Sequence, residues 1–248
     1  MTPTAMLKKV LRRMGVVAVR SHHSSVRYVD DPPSGMLDVV LLRSFPSLDG
    51  LRFMQIGAND GVRADPIRQK VLDHGWTGML VEPLATHFEQ LRRNYEGSRG
   101  LDFVNAAVDS TAGTRTIHAL RPGCRAPDWA NGLATFDLAR ISAVARDLGL
   151  GDGDILHQEV ATVTWAALLE RFGSRPCDVL VVDAEGHDLT LLRAAPLVRW
   201  RPRVIQFENP STNLEERLPF YGELLGLGYE IASEGQDMIA WMKPGTSA

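Results

Sequence analysis

Between Phe53 and Pro83 the chain runs through an apolar segment, the glycine-bearing turn QIGANDG, and a second apolar segment that stops at Glu82. Phe53-Met54-Gln55-Ile56 reads as a strand buried on both faces, as in a parallel sheet, because it lacks the polar alternation of a half-exposed strand. Gly57 and Gly61 fall in the loop that follows, where a missing side chain lets the backbone approach a ligand closely. Leu80-Val81 reads as the next strand, and the carboxylate of Glu82 stands where a doubly wound α/β fold offers two acceptors to a ribose diol. The stretch therefore predicts a nucleoside-type ligand at the carboxyl edge of a parallel sheet.

At 248 residues, 44% apolar and 23% charged, the chain is long enough for one α/β domain with a large core. A formal charge of -3 supplies no bulk field to draw in nucleic acid or an anionic membrane, so no nucleic-acid partner is expected. Cys124 and Cys177 lie far apart without CxxC spacing, which fits two free thiols in a reducing cytoplasm rather than a disulfide framework or thiolate metal site. No apolar run reaches the roughly 20 residues of a membrane span, and Gly15 to Val19 leads into Arg20, His22 and His23 rather than a small-residue cleavage site.

Residues 1–50 differ in character from the rest and read as an N-terminal helical appendage to a domain of residues 51–248. A basic amphipathic helix near Met6 to Met14 carries Met6, Leu7, Val10, Leu11 and Met14 on one face, suited to packing on its own domain or on the second copy of a homodimer. A proline-bearing run and a helical turn near Met36 to Arg43 follow. Beyond Glu82 the pattern predicts a helix over 85–95, strands over 101–108 and 114–120, and an irregular stretch from Arg121 to Asp154 that makes a candidate lid at about 121–158. A strand near Glu159 to Val163, a helix over 165–172, the apolar strand Asp178 to Val182, a helix opening near His187, a strand over 204–207 and a helix over 219–227 come next. Tyr229 to Ala232 and Asp237 to Met242 are joined by four residues, too few for a parallel crossover, so the last strand must be antiparallel. A mostly parallel seven-stranded sheet closed by a reversed last strand resembles the class I methyltransferase (Rossmann-like) α/β fold.

Motif spacing removes several alternatives. A nicotinamide fingerprint needs glycines at 57, 59 and 62, where Gly57, Asn59 and Val62 stand. YxxxK, GK[ST], HExxH and GxSxG are all absent from the sequence. The combination QIGANDG, DPI at 65–67, GWTGMLVEP at 75–83, LRRNY ending at Tyr95, FVNAAV at 103–108 and VVDAEGHD at 181–188 resembles the FkbM family of S-adenosylmethionine-dependent methyltransferases over roughly residues 50–240.

That resemblance implies a set of site residues. Gly57, Ala58, Asn59 and Gly61 would wrap the methionine end of S-adenosylmethionine, with Gln55, Pro83 and Asp183 nearby, Glu82 on the ribose and Asn105 and Ala106 beside the adenine. Gln55 stands where many such proteins carry an acidic residue, and Asn59 replaces a middle glycine. The acceptor implied is a hydroxyl of a sugar, oligosaccharide or related natural product such as a polyketide; a non-catalytic nucleoside-binding module is the competing reading.

Methyl transfer is an in-line displacement, so positioning supplies most of the rate and a base takes the hydroxyl proton. Asp183, Glu185 and His187 form the candidate catalytic cluster. His187 is the first choice of base because an imidazole of ordinary pKa ~6.5 can be neutral at cellular pH, while capping and orienting roles are the alternative for the same residues. Asp183 and Glu208, together with His187 or Asn209, are candidate magnesium ligands if their strands are neighbours, with metal-free catalysis preferred. Trp129, Phe136 and His157, flanking the candidate lid, are candidate sugar-stacking residues.

Overall fold

The computed structural model describes residues 19–20, 26–27, 35–127, 130, 132–208 and 214–242. The basic helix expected near Met6 to Met14, and Trp129, lie outside the described residues. Two short strands, β1 (Val19–Arg20) and β2 (Val26–Arg27), pair antiparallel. Helix α1 (Met36–Ser44), within the stretch read as an appendage, puts Leu37, Val40 and Leu41 into the same core as Phe53, Val204 and Ile239.

The main sheet has seven strands: β3 (Arg52–Ile56), β4 (Thr77–Val81), β5 (Leu101–Val104), β10 (Val179–Val182), β11 (Val204–Glu208), β12 (Tyr229–Glu234) and β13 (Asp237–Met242). Their order is β12-β13-β11-β10-β3-β4-β5. β13 runs antiparallel to both of its neighbours and the other six strands share one direction. The hairpin turn is tighter than the sequence suggested. Strand pairing extends to Glu234 and Asp237, and Gly235 at φ +62 takes the left-handed turn position.

Alternation along the strands divides the core into two layers. Met54, Ile56, Met79, Val81, Leu180 and Val182 face helices α5 (Trp165–Phe172), α6 (Asp188–Ala194) and α8 (Leu214–Gly226). Phe53, Leu80, Val179, Val181 and Val204 face α1 and the segment around α2 (Arg68–His74) and α3 (Ala85–Asn94), through Ile67, Val71, Leu91 and Tyr95. The short helix α7 (Leu197–Trp200) joins α6 to β11. Helix α8 starts before Pro219, which therefore sits inside it rather than at its first turn.

A second sheet is not foreseen by the sequence pattern. The run expected as one strand over 101–108 is split: β5 belongs to the main sheet, whereas β6 (Ala107–Val108) pairs with β9 (Ile155–Val163). Asn105 sits at the break, its amide donating to the carbonyls of Glu82 (2.8 Å) and Pro83 (3.1 Å). β9 pairs along its length with β7 (Gly113–Leu120), and β7 also pairs with β8 (Ala134–Thr135). The candidate lid is thus more ordered than its composition implied. It contains β8, helix α4 (Leu138–Asp147) and the start of β9, and Leu120, Leu133, Ile141, Ala145 and Ile155 give it a small core of its own.

Candidate active site at the carboxyl edge of the sheet

Strands β3, β4, β10 and β11 all end at one edge, and a cavity of about 690 Å³ opens there beneath the segment holding Gly132, Ala134, Thr135 and Phe136. One wall is the loop after β3. Gly57 has φ +78, and a Cβ built on it would lie 1.7 Å from the Asp183 carbonyl oxygen, so only glycine lets the ends of β3 and β10 approach this closely. The amides of Gly57 (2.9 Å) and Ala58 (3.0 Å) both donate to the Val81 carbonyl. The amide of Asn59, a left-handed residue at φ +48, donates to Glu82 Oε2 at 2.9 Å. The loop's amides are therefore engaged within the protein, and what it offers the cavity is shape.

Gly61 serves the packing rather than the cavity wall. A Cβ there would fall 2.5 Å from Leu91 Cδ1 and 2.6 Å from Tyr95 Cε2, so the glycine lets α3 settle onto the loop. Asn105 likewise stays off the wall, holding the end of β4 through the bonds given above, whereas Ala58, Pro83 and Ala106 line the cavity.

Glu82 is 4% exposed, with Oε1 accepting the Leu84 amide at 2.8 Å and Oε2 that of Asn59. Burial pushes its pKa up to about 7 against the pull of these two amides, and Asp183 and Asp60 add to the rise. Gln55, 3% exposed, reaches Asp65 Oδ1 through Nε2 at 3.5 Å, while its Oε1 is shut off from solvent with no hydrogen-bond partner among the described residues. Asp65 is fixed by the amides of Ile67 (2.7 Å) and Arg68 (3.2 Å) and by the Tyr95 hydroxyl (3.0 Å). Burial raises its pKa nonetheless.

The opposite wall is acidic. Asp183 follows β10, and its pKa rises to about 7 through burial and then through Asp188, Glu208 and Asp237. Glu185, left-handed at φ +50, is pushed up to about 8 by burial, Asp183 and Glu208, with Arg140 Nη2 opposing from 3.8 Å. Asp188 turns back onto the preceding turn and accepts the amides of Ala184 (3.2 Å) and Gly186 (3.1 Å), so it shapes the loop that presents its neighbours. The pairing of Val182 with Phe207 makes Asp183 and Glu208 neighbours at their strand ends, as the sequence reading required. Burial raises Glu208 too, against the pull of Arg140, and its Oε2 is buried with no hydrogen-bond partner among the described residues. Among the described residues no three His, Cys, Asp or Glu side chains are gathered closely enough to hold a metal ion, and Asn209, the other ligand considered beside Asp183 and Glu208, lies outside the described residues.

His187 stands at the N-cap position of α6 without a side-chain capping bond, and lines the cavity. Its ring meets the ring of Phe136 edge-on, centroids 6.3 Å apart at 82°, and Arg115 lies over the other ring 4.0 Å from its centroid while ion-paired with Asp109. Burial lowers the imidazole pKa below its usual 6.5; Asp109 opposes this and Arg115 adds to it. His157 is elsewhere. It is exposed on the second sheet, cross-strand from His118 with the two Nδ1 atoms 2.7 Å apart, so Phe136 rather than His157 provides an aromatic surface in the cavity.

Arg63, Thr135, Gln206 and Asp237 also line the cavity and were not foreseen. Gln206 lay open to inference, two residues before Glu208 and hence on the same face of its strand. Asp237 did not, because only the insertion of β13 beside β11 brings it opposite Glu208.

A sheet of this order, with one reversed strand inserted second from the edge and a cavity where the parallel strands end, defines the class I methyltransferase architecture. The chain belongs to the FkbM methyltransferase family: the sequence model of the Methyltransferase FkbM domain matches residues 55–244. Among curated protein sequences, none matches. Similar solved structures include a METTL16 MTase domain, at 13% identity over 79% of this chain and 61% of that one, TM-score 0.45. Methyltransferase FkbM from Methylobacillus flagellatus KT aligns at 10% identity over 78% of this chain and 44% of that one, TM-score 0.46. Precorrin-6y C5,15-methyltransferase from Geobacter metallireducens GS-15 aligns at 14% over 87% and 90%, TM-score 0.41. The chain thus spans less than two thirds of the first two. No helix among the described residues is long and apolar enough to cross a membrane.

Proposed function

We propose that the chain is an S-adenosylmethionine-dependent O-methyltransferase acting on a hydroxyl of a sugar, oligosaccharide or related natural product. The observation that carries the reading is that a single cavity has the buried carboxylate of Glu82 on one wall and the imidazole of His187 among its other lining residues. The donor set suits the cofactor. Gln55 Oε1, buried and unpartnered, fits the amino group of its methionine part, and the remaining lone pairs of Glu82 fit the ribose hydroxyls. Bound S-adenosylmethionine supplies an electrophilic methyl group on a sulfonium.

The chain's own residues do the rest. Phe136 offers a flat apolar surface for a sugar ring, and the segment from Gly132 to Phe136 shields the cavity from water. His187, neutral at pH 7 because burial depresses its pKa, takes the hydroxyl proton as the carbon–oxygen bond forms, a contribution of about 10² to 10⁴ in rate. Positioning of the acceptor oxygen supplies the larger share. The products are the methyl ether, S-adenosylhomocysteine and a proton passed from His187 to solvent. Two free thiols, Cys124 and Cys177, fit the reducing cytoplasm in which we place the protein.

The test is calorimetric titration with S-adenosylhomocysteine, with a reduced nicotinamide dinucleotide as control and Glu82→Ala in parallel. Saturable binding of the first ligand, lost in the variant, supports the reading and justifies assaying methyl transfer to sugar hydroxyls with and without magnesium. Binding of the dinucleotide alone, or of neither, refutes it.

A further inference from the structure

The acidic wall is more than a group of carboxylates near one another. Period-two alternation puts Gln206 and Glu208 on one face of β11, and the register aligns that face with its neighbours. Gln55, Val181, Gln206 and Ile239 occupy one level across β3, β10, β11 and β13; two residues on, Asp183 follows β10 beside Glu208, and Glu208 pairs directly with Asp237. Three adjacent strand ends thus carry a carboxylate side by side, an arrangement in which directly opposed like charges destabilise a sheet.

The hydrogen bonding has the same sense. Gln206 spends its amide nitrogen on Asp237 Oδ2 at 3.1 Å, leaving Oε1 buried with no hydrogen-bond partner among the described residues. Glu208 Oε2 is likewise buried with no hydrogen-bond partner among the described residues, and both atoms are distinct from Gln55 Oε1, which the cofactor's amino group would satisfy. Each is an acceptor lacking a donor, and a buried polar group left unpaired costs roughly 1–3 kcal/mol. Arg140 approaches this wall loosely, 3.8 Å from Glu185, and also pulls against the raised pKa of Glu208. A neutral hydroxyl would satisfy the acceptors but leave the charge. An ammonium group brings three donors, no acceptor and a positive charge, and so answers both.

We infer that the acceptor is cationic, an aminated sugar whose protonated amine is held by Gln206, Glu208 and Asp237 while a hydroxyl of the same molecule faces His187. The inference rests on the methyltransferase reading above and narrows its substrate class. It is tested on the full chain saturated with S-adenosylhomocysteine, titrated at pH 7 with the glucosamine disaccharide chitobiose and with N,N′-diacetylchitobiose, which share a skeleton and differ in the charge on nitrogen.

Chitobiose should bind at least tenfold more tightly. That preference should fall below twofold in the Glu208→Gln/Asp237→Asn double variant, which is nearly isosteric and should keep its affinity for S-adenosylhomocysteine. Glu159→Gln, which removes an exposed carboxylate on the second sheet, should leave the preference intact and so exclude a general attraction to an acidic protein. Equal or tighter binding of the acetylated disaccharide, binding of neither, or a preference that survives the double variant overturns the inference. So does saturable binding of magnesium chloride alone that the double variant abolishes, since the acceptors would then belong to a metal. Failure to bind S-adenosylhomocysteine at the outset is a different result and refutes the methyltransferase reading itself.

Discussion

Gly57→Ala should be among the most damaging single-methyl changes in this protein, and Gly75→Ala provides the internal comparison. Both glycines have positive φ, +78 and +61, so each alanine incurs the left-handed penalty of about 1–2 kcal/mol. Around Gly75 no atom lies within 4 Å of the added Cβ, and its cost should end there. At Gly57 the Cβ would lie 1.7 Å from the Asp183 carbonyl oxygen, whereas ordinary contact starts at 3.4 Å. The ends of β3 and β10 must then separate by about 1.7 Å, the difference between these two distances. That movement breaks the bond from the Asp183 amide to Ile56 (2.9 Å) or those from Gly57 and Ala58 to Val81. Each buried backbone group left unpaired costs about 1–3 kcal/mol, so with two such groups the total is about 4 kcal/mol or more. Against a typical whole-domain stability of about 5–15 kcal/mol this is severe, and in a chain of this size it lowers Tm by roughly 8 °C or more. Urea denaturation of both variants followed by circular dichroism, with S-adenosylhomocysteine titrations on whatever remains folded, measures it. If Gly57→Ala lies within 1 kcal/mol of Gly75→Ala, the strand ends are not packed as argued, and the account of the cavity wall fails with it.

The raised carboxylates predict a falling stability with pH. Glu82 and Asp183 at about 7 and Glu185 at about 8 hold protons in the folded state that the unfolded chain has already released, so the stability each provides is complete below its unfolded pKa and is lost as pH rises through the folded value. Between pH 6.5 and 8.5, above the unfolded pKa of the buried histidines, the ligand-free protein should lose on the order of 1–2 kcal/mol, with exposed Asp183 left out of the sum and part-exposed Glu185 discounted for solvent screening; a melting temperature that is flat or rises across this window contradicts it. His187→Ala should lower kcat by about 10² to 10⁴ while S-adenosylhomocysteine affinity changes little, and a kcat within threefold of the parent excludes the imidazole as base. Because His157 stands outside the cavity, His157→Ala should leave kcat and KM within twofold, whereas Phe136→Ala should raise the KM for the acceptor; reversed effects in a steady-state assay would relocate the acceptor surface. Gly132→Ala would put a methyl group 2.1 Å from Asn59 Nδ2, so it should weaken S-adenosylhomocysteine binding, and unchanged calorimetry would mean that the covering segment moves freely from the loop.

By itself the amino-acid sequence determined what depends on short-range pattern. The apolar runs located the strands of the main sheet, the short link after Ala232 required a reversed final strand, and the glycine loop followed by a strand ending on Glu82 marked the edge at which the cavity lies. These are local matters of solvent exposure, chain reach and backbone freedom, each legible within a few tens of residues. Tertiary structure alone decided which of the polar residues face one another. The break at Asn105 was hidden because an apolar run keeps the same pattern when it passes from one sheet to another. His157 flanks the covering segment along the chain, but β9 carries it to an exposed face, and Gly61 and Asn105 take up packing and strand-end roles. Asp237 reached the acidic wall only because β13 slots between β11 and β12, a pairing of segments some thirty residues apart that leaves no local trace. Alternation specifies that a side chain leaves one face of a strand, while register, set by long-range burial across the whole sheet, specifies what it meets there.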